Sequence, residues 1–313
     1  MLSLILRRLA LSIPLILVVS LTTFLMVSFS PSDVAYTLLG ARATPEQLAQ
    51  VRAELGLDLP LWQQYLNWLA AAVRGDLGSS LLTRQPVLDA VMQRIEPTVA
   101  LLVATMIVTG CAGLLLGVAS ALRGGVFARL TDALGLIGIA VPGFLIGLGL
   151  VILFSVQLRL LPSVGYTSIE AALGLWARGL ILPVAALALG SMGLIAKQVR
   201  ASMYEVLSSE FVRTLTANGF SRRSIVYRHV LRSAAVPVLA VMGVTLVGLL
   251  GASVLIEQVF GIPGIGGLAV QSTLNKDLTL VQGVAVIYTL IVVVVNLLLD
   301  IAYAFVNPRV RVQ

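Results

Sequence analysis

The residues with the greatest potential for chemistry lie in one basic stretch of the chain, residues 210–237. This stretch contains five arginines and the only histidine, His229. A histidine titrates near neutral pH and can act as a general acid or base. An intramembrane hydrolase would also need a serine–histidine pair, paired aspartates or an HExxH motif inside the membrane. His229 instead lies among arginines, so we expect it to contact a helix face. We predict no catalytic, cofactor-binding or metal-binding residue in this chain.

The single cysteine, Cys111, lies in the middle of an apolar run. One cysteine cannot form a disulfide within the chain, so the cysteine content does not indicate a redox compartment. A small residue at a helix contact accounts for Cys111 better than a redox or metal-binding role does.

The elements that position these residues are predicted to be membrane-spanning helices. The chain is 58% hydrophobic and has a mean hydropathy of +1.02, whereas soluble domains are about 45–50% apolar. A spanning helix needs about 20 apolar residues. Six charge-free runs approach or reach that length, at residues 9–30, 98–122, 134–158, 180–196, 238–256 and 281–299. One soluble core cannot bury six such helices, so the predicted fold class is an all-α polytopic membrane protein with six transmembrane helices.

The first apolar run is expected to be retained as a helix. Arg7 and Arg8 precede it as in a secretory signal, but the run is too long for one and no small-residue cleavage pattern follows it. We therefore assign residues 1–30 to a cytoplasmic tip and the first transmembrane helix. Residues 31–97 are assigned to an extracytoplasmic helical cap, and residues 98–313 to the core transmembrane domain.

The distribution of charge predicts which side of the membrane each connection faces. The chain has 21 basic and 14 acidic residues and a net charge of +7. If the N-terminus is cytoplasmic, 13 of the basic residues but only four of the acidic ones fall on that side, which is the positive-inside pattern. Both termini are therefore predicted to be cytoplasmic, with the basic excess near anionic membrane lipid. Nucleic acid is excluded as a partner, because no basic face is interleaved with exposed aromatic residues.

Three short helices are predicted within the cap. Thr44 followed by Pro45 is typical of a helix start, and Gly56 of a helix end. A second, amphipathic helix carries Trp62, which we expect at the level of the lipid headgroups. A third short helix at residues 86–95 is predicted to lead into the second span.

Two segments rich in glycine and proline interrupt the core. Residues 261–280 suggest a re-entrant or surface loop. Phosphate binding is not indicated there, because the chain has no GxxxxGK[ST] motif and no strand precedes the loop. In the third apolar run, Pro142 is followed by Gly143, Gly147 and Gly149. These small residues favour close helix packing, with a bend in the span as the alternative.

The basic stretch is predicted to fold as two short helices joined by a rigid turn. Phe211, Val212 and Leu215 share one face of the first helix and would form a small apolar knob. Asn218-Gly219 ends this helix, because both residues tolerate the left-handed conformation, and Ser221 can cap the second.

The second helix is predicted to have an apolar and a basic side before Pro237 marks the entry to the fifth span. The apolar side carries Val226, Tyr227, Val230, Leu231 and Ala234. The other side carries Arg222, Ile225, Arg228, His229 and Arg232. Lipid contact and partner contact both fit the arginines, whereas exposed apolar residues indicate the groove of a partner.

This stretch resembles the loop that couples the membrane subunits of ABC importers to their ATPases. Of the general form, E-A-A-x-x-x-G followed by I-x-L-P, only Gly219 and Leu231 match. The form in the dipeptide/oligopeptide permease branch is similar to R-T-A-x-A-x-G followed by R-H-x-L-R-x-A-x-x-P. This chain reads RTLTANG and RHVLRSAAVP there, a close match in which Leu215 and residues 216–218 are the loose part. The departure from E-A-A narrows the resemblance to the peptide-permease branch.

The resemblance covers essentially the whole chain. Residues 55–69 and 74–81 resemble the external cap of this branch, and residues 256–283 resemble its loop after the fifth span. Residues 300–312 resemble its C-terminal signature, with Asn307 where aspartate is usual. None of these motifs indicates which substrate is transported.

The resemblance implies the permease subunit of a type I ABC importer, in the cytoplasmic (inner) membrane of a bacterium. Its implied partners are a second homologous permease, two ABC ATPase subunits (identical or different) and an extracytoplasmic substrate-binding protein. ATP and Mg²⁺ would be bound by the ATPases, because this chain has no Walker lysine or Walker-B carboxylate. The chain itself is therefore expected to be non-enzymatic.

Two sets of site residues follow from the resemblance. The ATPase-coupling loop, residues 200–236, would use Glu210, Phe211, Arg213, Thr214, Leu215, Gly219, Arg222 and Arg223. The external gate or the contact with the binding protein would use Asp58, Trp62 and Glu257.

Short peptides are the expected cargo, because they are the commonest cargo of the branch. Glutathione, a nickel complex or an opine is the alternative. An ion-coupled secondary transporter is a weaker alternative, because such proteins carry ionisable residues within their spans. Here Glu257 and Asp300 lie only at the margins of their runs.

Overall fold

The computed structural model describes residues 2–29, 39–40 and 43–306, which form helices and no β-strand beyond one isolated bridge between Ser79 and Pro86. The predicted all-α class is therefore confirmed. The helices are α1 (Leu2–Ser28), α2 (Pro45–Glu54), α3 (Leu61–Val73), α4 (Val87–Arg123), α5 (Gly125–Ala140), α6 (Gly143–Gln157), α7 (Leu173–Leu207), α8 (Glu210–Ala217), α9 (Arg222–Phe260), α10 (Ile265–Leu274) and α11 (Leu278–Val306). Asn307 and the rest of the predicted C-terminal signature after it lie outside the described residues.

Six membrane spans are present by length and composition among the described residues. Helices α1, α4, α7, α9 and α11 are each long and apolar enough to cross a membrane, and α5 and α6 together form one bent span. The six predicted runs correspond to these helices in order. The prediction of six transmembrane helices is confirmed when the bent pair is counted as one span.

The third span is broken at Val141 and Pro142, where the axes of α5 and α6 differ by 106°. Proline disfavours the helical conformation in the residue before it, and Val141 is extended with φ −111° and ψ 117°. Pro142 then precedes the first turn of α6. The bend, which the sequence left as an alternative, is therefore present. Close packing also occurs, because an added Cβ on Gly147 would lie 3.1 Å from the ring of Phe260.

Helix α4 is one continuous helix of 37 residues that contains Pro97. The helix predicted at residues 86–95 is therefore present from Val87, but it is not a separate short helix. Proline removes one main-chain hydrogen bond from a helix, but the turns before Pro97 are held by packing, since Val87 and Val91 are fully buried. The short helix is the first part of the second span.

The first cap helix, α2, starts as the sequence predicts. The Thr44 hydroxyl accepts a hydrogen bond from the Gln47 amide at 3.3 Å, and the Gln47 side chain accepts one from the Thr44 amide at 3.0 Å. This is a capping box. Hydrogen bonds from its own backbone and from Thr44 lower the pKa of Glu46 below its ordinary value. In α3, Tyr65 lies 2.9 Å from the Ser20 hydroxyl of α1.

The contacts divide the chain into two compact units. Among the described residues, the first contains 97–262 and 295–306, and the second contains those within 2–96 and 263–294. The three domains predicted from the sequence were defined by the side of the membrane on which each is expected to lie. The division into two units does not test this, so the three domains stay a prediction.

In the second unit, the start of α4 packs against α10 and the first turns of α11. Their shared core is formed by Leu77, Val87, Ala90, Val91, Ile265, Leu268, Leu280 and Val284. Asp277 is 2% exposed and accepts hydrogen bonds from the Ser80 hydroxyl at 2.5 Å and from the Leu280 amide at 3.2 Å. The segment 261–280 is thus more regular than a loop, because it contains α10 and a carboxylate that caps α11.

Candidate functional site

Helix α8 and the turn after it form the first half of the predicted coupling loop. The Phe220 amide donates to the Leu215 carbonyl at 3.1 Å, and the Gly219 amide donates to the Thr216 carbonyl at 3.0 Å. This pair of bonds is a Schellman motif, which requires a left-handed residue. Gly219 supplies it with φ +78°. The predicted helix end at Asn218-Gly219 is therefore present in the structure.

Helix α9 begins at the predicted cap, because the Ser221 hydroxyl accepts a hydrogen bond from the Ser224 amide at 3.3 Å. The predicted second short helix, however, is wrong as a separate element. Arg222–Phe260 is one continuous helix with Pro237 inside it. The second half of the loop is therefore rigidly joined to the fifth span.

A π-helical segment at Ile225–Val230 alters which residues of α9 face the core. Ile225, predicted on the basic side, is 4% exposed, whereas Tyr227, predicted on the apolar side, is 58% exposed. A π-helix closes its hydrogen bonds over five residues and not four. Each residue therefore turns less around the axis than α-helical spacing assumes, and Ile225 and Tyr227 exchange sides.

The predicted apolar knob is divided between the core and the surface. Val212 and Leu215 pack against the core cluster of the first unit, whose buried residues are Ile195, Val199, Met203, Ile225, Val226, Val230, Ala234 and Val238. Phe211 instead is 49% exposed. This packing ties α8 to both α7 and α9.

An aromatic cluster of Phe211, Phe220 and His229 lies at the surface of the loop. The His229 ring has its centroid 6.1 Å from that of Phe211 and 5.9 Å from that of Phe220, both edge-on. Phe220 is 46% exposed. The sequence did not identify Phe220 or His229 as members of this surface, because they lie 9 residues apart across a turn. The one available signal was that Phe220 directly follows the left-handed glycine.

Five of the residues predicted for the coupling loop are charged or polar. Glu210, Arg213, Thr214, Arg222 and Arg223 are all exposed. Thr214 turns its hydroxyl back to the Glu210 carbonyl at 3.0 Å. Within the described part of the chain, Arg213, Arg222 and Arg223 form no ion pair. The structure therefore brings the predicted coupling residues onto α8 and the first turn of α9, with their charges available to a partner.

The residues predicted for the outer gate fall in different units. Asp58 and Trp62 are exposed in the second unit, Trp62 by 66%. Glu257 belongs to the first unit, is 1% exposed and accepts a 2.7 Å hydrogen bond from the Thr98 hydroxyl. In this conformation Glu257 is therefore an interior residue. The gate and binding-protein roles of these three residues stay predictions.

Helices α5 and α7 cross on a set of glycines that lie outside the residues predicted from the sequence to form a site. A Cβ on Gly138 would collide with the carbonyl of Gly190, and a Cβ on Gly193 would collide with the backbone of Leu134 and Gly135. The signal was a spacing of three residues between glycines on both helices, which permits close backbone approach. Next to this crossing, α5, α7 and α9 line a groove of about 710 Å³.

Comparison with known proteins identifies the family. The family described as "Binding-protein-dependent transport system inner membrane component" matches residues 113–312, and the family of the corresponding N-terminal region matches residues 1–102. A protein of Sinorhizobium fredii named "Probable peptide ABC transporter permease protein" is 40% identical over 98% of both chains. The "Glutathione transport system permease protein GsiC" of Escherichia coli is 36% identical over 99% of both chains.

A solved structure supports the fold independently. A chain of the MetNI methionine ABC transporter, in an inward-facing conformation, superposes with a TM-score of 0.55 at 19% identity. The match covers 70% of this chain and 97% of that chain. At this identity the likeness shows the fold, and it agrees with the predicted importer fold. The chain belongs to the family of inner membrane components of binding-protein-dependent transport systems.

Proposed function

We propose that this chain is one of two permease subunits of an ATP-driven importer that carries short peptides into the cytoplasm. An extracytoplasmic binding protein delivers the peptide, and a second homologous permease completes the path. The observation that carries the proposal is the exposed surface from α8 to the start of α9, which presents the aromatic cluster of Phe211, Phe220 and His229 and several exposed arginines. A soluble partner explains an apolar cluster on a cytoplasmic connection.

ATP-driven movement requires that the loop transmit force to the spans. Val212 and Leu215 of α8 pack against the buried cluster that contains Val199 and Met203 of α7 and Val226 of α9. A displacement of α8 therefore acts on both helices. Since α7 and α9 also line the groove, closure of the ATPases changes the groove through rigid-body movement. ATP shifts the equilibrium only if the docked contacts differ in energy between the two states.

The chain itself performs no catalysis in this proposal. Two ABC ATPase subunits bind ATP and Mg²⁺ and hydrolyse the nucleotide. Both termini and the coupling loop face the cytoplasm, as the positive-inside distribution of charge predicts. Asp58, Trp62 and Glu257 are assigned to the outer side, where the binding protein docks.

Peptide is the proposed cargo because a full-length relative at 40% identity is named as a peptide permease. Glutathione is the second candidate, favoured by the full-length relative named as a glutathione permease. Glutathione is itself a tripeptide with free carboxylates, so one path can suit both. Separate uptake measurements with a labelled tripeptide and with labelled glutathione distinguish the two cargoes, because only a transported compound accumulates inside the liposomes.

The coupling role is tested at Gly219 in the assembled complex, reconstituted in liposomes with its partner subunits. Gly219→Val places a β-branched side chain at φ +78°, which costs about 1–3 kcal/mol in the turn. We expect ATP-dependent peptide uptake to fall at least several-fold while the ATPases still hydrolyse ATP. Gly219→Asn is the matched control, because asparagine tolerates this conformation. No side chain crowds the site, so a loss of uptake reports the turn geometry.

The docking surface is tested by Phe211→Asp, with Phe211→Leu as the control that keeps an apolar side chain. We expect the aspartate variant to release the ATPases on purification and the leucine variant to retain them. Normal assembly and uptake by both Phe211→Asp and Gly219→Val would show that the coupling site is wrongly assigned. Uptake by this chain alone, without ATP, would contradict the importer itself.

A further inference from the structure

The groove between α5, α7 and α9 contains one charged side chain among the described residues that line it. That residue is Lys197 of α7. The other lining residues are apolar or glycine, apart from the polar side chains of Ser191, Gln198 and Thr245. A volume of about 710 Å³ lies within the range of pockets that hold small ligands, which is about 300–1,000 Å³. A single ammonium group in such a groove is a candidate anchor for an anionic group.

Lys197 is held in place by the glycine crossing. An added Cβ at Gly135 of α5 would lie 2.5 Å from Cε of Lys197 and 2.7 Å from its Nζ. The absence of a side chain at Gly135 therefore makes room for the lysine stem against the α5 backbone. Gly193, one turn before Lys197 on α7, brings the two helices close enough for this contact. The position of the charge is thus set by two helices.

The charge of Lys197 is not used in an ion pair with the described residues. The acidic residue on the facing helix, Asp132, interacts electrostatically with Lys197. Its ion pair is with Arg200, at 2.6 Å. Arg200 also donates to the Ser120 hydroxyl at 3.4 Å. The two neighbouring cations of α7 therefore differ, since Arg200 is fixed between helices and Lys197 faces the groove.

The residue type is also informative, because Lys197 and Lys276 are the only lysines in a chain with 21 basic residues. Arginine binds a carboxylate through two parallel hydrogen bonds in a rigid fork, whereas lysine presents a compact and strongly hydrated charge on a flexible stem. A residue in a transport path must bind the cargo and then release it. Lysine is suited to that use.

We propose that Lys197 binds the terminal carboxylate of the peptide as the cargo passes through the groove. The inference rests on the proposed peptide import and adds to it a residue that recognises one chemical group of the cargo. The apolar and glycine walls of the groove contribute no side-chain charge, so they accept varied peptide side chains. The ammonium group binds the terminal carboxylate, which all peptides with a free C-terminus share.

The test compares uptake of a tripeptide with uptake of its C-terminal amide by the reconstituted complex. The same binding protein is used throughout, so its own preference cancels when variants are compared with the wild type. Lys197→Gln removes the charge and keeps a polar side chain. We expect it to lower uptake of the free-carboxylate peptide about tenfold, the loss of one charge-assisted hydrogen bond, chiefly through KM. Uptake of the amide should be unchanged.

Two controls accompany this variant. Lys197→Arg keeps the charge and should keep the preference for the free carboxylate. Lys276→Gln removes the other lysine, which lies outside the groove, and should behave as the wild type. An equal loss for peptide and amide in Lys197→Gln would show a merely structural role and overturn the inference. An unchanged ratio in an active complex would overturn it as well. Failure of the wild-type complex to import any peptide would overturn the proposed function, and the inference with it.

Discussion

Glu257 and Thr98 show how a single buried carboxylate is accommodated in this fold. Glu257 is 1% exposed and Thr98 is fully buried, and the Thr98 hydroxyl donates to Glu257 at 2.7 Å. A buried carboxylate is unfavourable unless it is hydrogen-bonded, and bonds to charged groups are stronger than neutral ones. The two residues join α4 to α9, so the bond contributes to the packing of the first unit as well as to the solvation of the carboxylate.

Replacing Thr98 tests this contribution. Thr98→Val preserves the shape of the side chain but removes the donor, and we expect a loss of about 1.5–3 kcal/mol in the free energy of unfolding. The measurement is the thermal unfolding of the purified complex in detergent. Thr98→Ser retains the hydroxyl and should unfold at a temperature closer to that of the wild type. Equal unfolding temperatures for the valine and serine variants would show that the hydrogen bond contributes nothing.

At the scale of the elements, the crossing of α5 and α7 is determined by which residues lack side chains. Gly135 and Gly138 on α5 meet Gly190 and Gly193 on α7 with backbone against backbone. In a membrane, the hydrophobic effect does not drive helices together, because lipid tails are as apolar as the side chains. Close van der Waals packing at small residues stabilises the contact instead. This packing fixes α7 beside the groove and, through α7, the position of Lys197.

The crossing predicts a difference between two glycine substitutions. Gly138→Ala forces a methyl group onto the Gly190 carbonyl, and overpacking of this kind costs about 1–3 kcal/mol. Gly149→Ala in α6 is the control, because no atom lies within 4 Å of its added Cβ. We expect the unfolding temperature of the Gly138 variant to be several degrees lower than that of the wild type. The unfolding temperature of the Gly149 variant should equal that of the wild type. Equal unfolding temperatures would mean that α5 shifts freely along α7.

At the scale of the whole molecule, function depends on which surfaces face which side of the membrane. The proposed orientation places the aromatic cluster around Phe211 in the cytoplasm and Trp62 outside. The charge distribution carries this orientation, because basic residues favour the cytoplasmic side. The family and the helices are consistent with a multi-pass inner membrane protein.

Cysteine labelling in intact cells tests the orientation. Cys111 is the only cysteine, so Cys111→Ala provides a background without thiols. Into it we introduce Trp62→Cys or Phe211→Cys, at positions whose side chains are 66% and 49% exposed. A membrane-impermeant maleimide, allowed through the outer membrane, should label position 62 directly. In cells that lack the ATPase subunits, which would otherwise cover this surface, it should label position 211 only after the inner membrane is permeabilised. The reverse pattern would invert the proposed topology.

The sequence by itself determined the features that depend on neighbouring residues. The capping box at Thr44 and Gln47 and the turn at Gly219 were predictable because their hydrogen bonds and φ angles involve only a few consecutive residues. The apolar runs were predictable because each must fill the thickness of the membrane. Together with the motif RTLTANG these features were sufficient to indicate the fold and to predict a coupling loop.

The tertiary structure alone decided where the helices break and which side chains are buried. Pro14, Pro97, Pro183 and Pro237 lie inside continuous helices, whereas Pro142 marks a bend of 106°. Proline removes the same hydrogen bond in every case, so the outcome depends on whether packing on both sides holds the helix together. The π-helical segment that buries Ile225 and the crossing that places Lys197 in the groove have the same origin. Each depends on contacts between residues far apart in the chain, which no local pattern records.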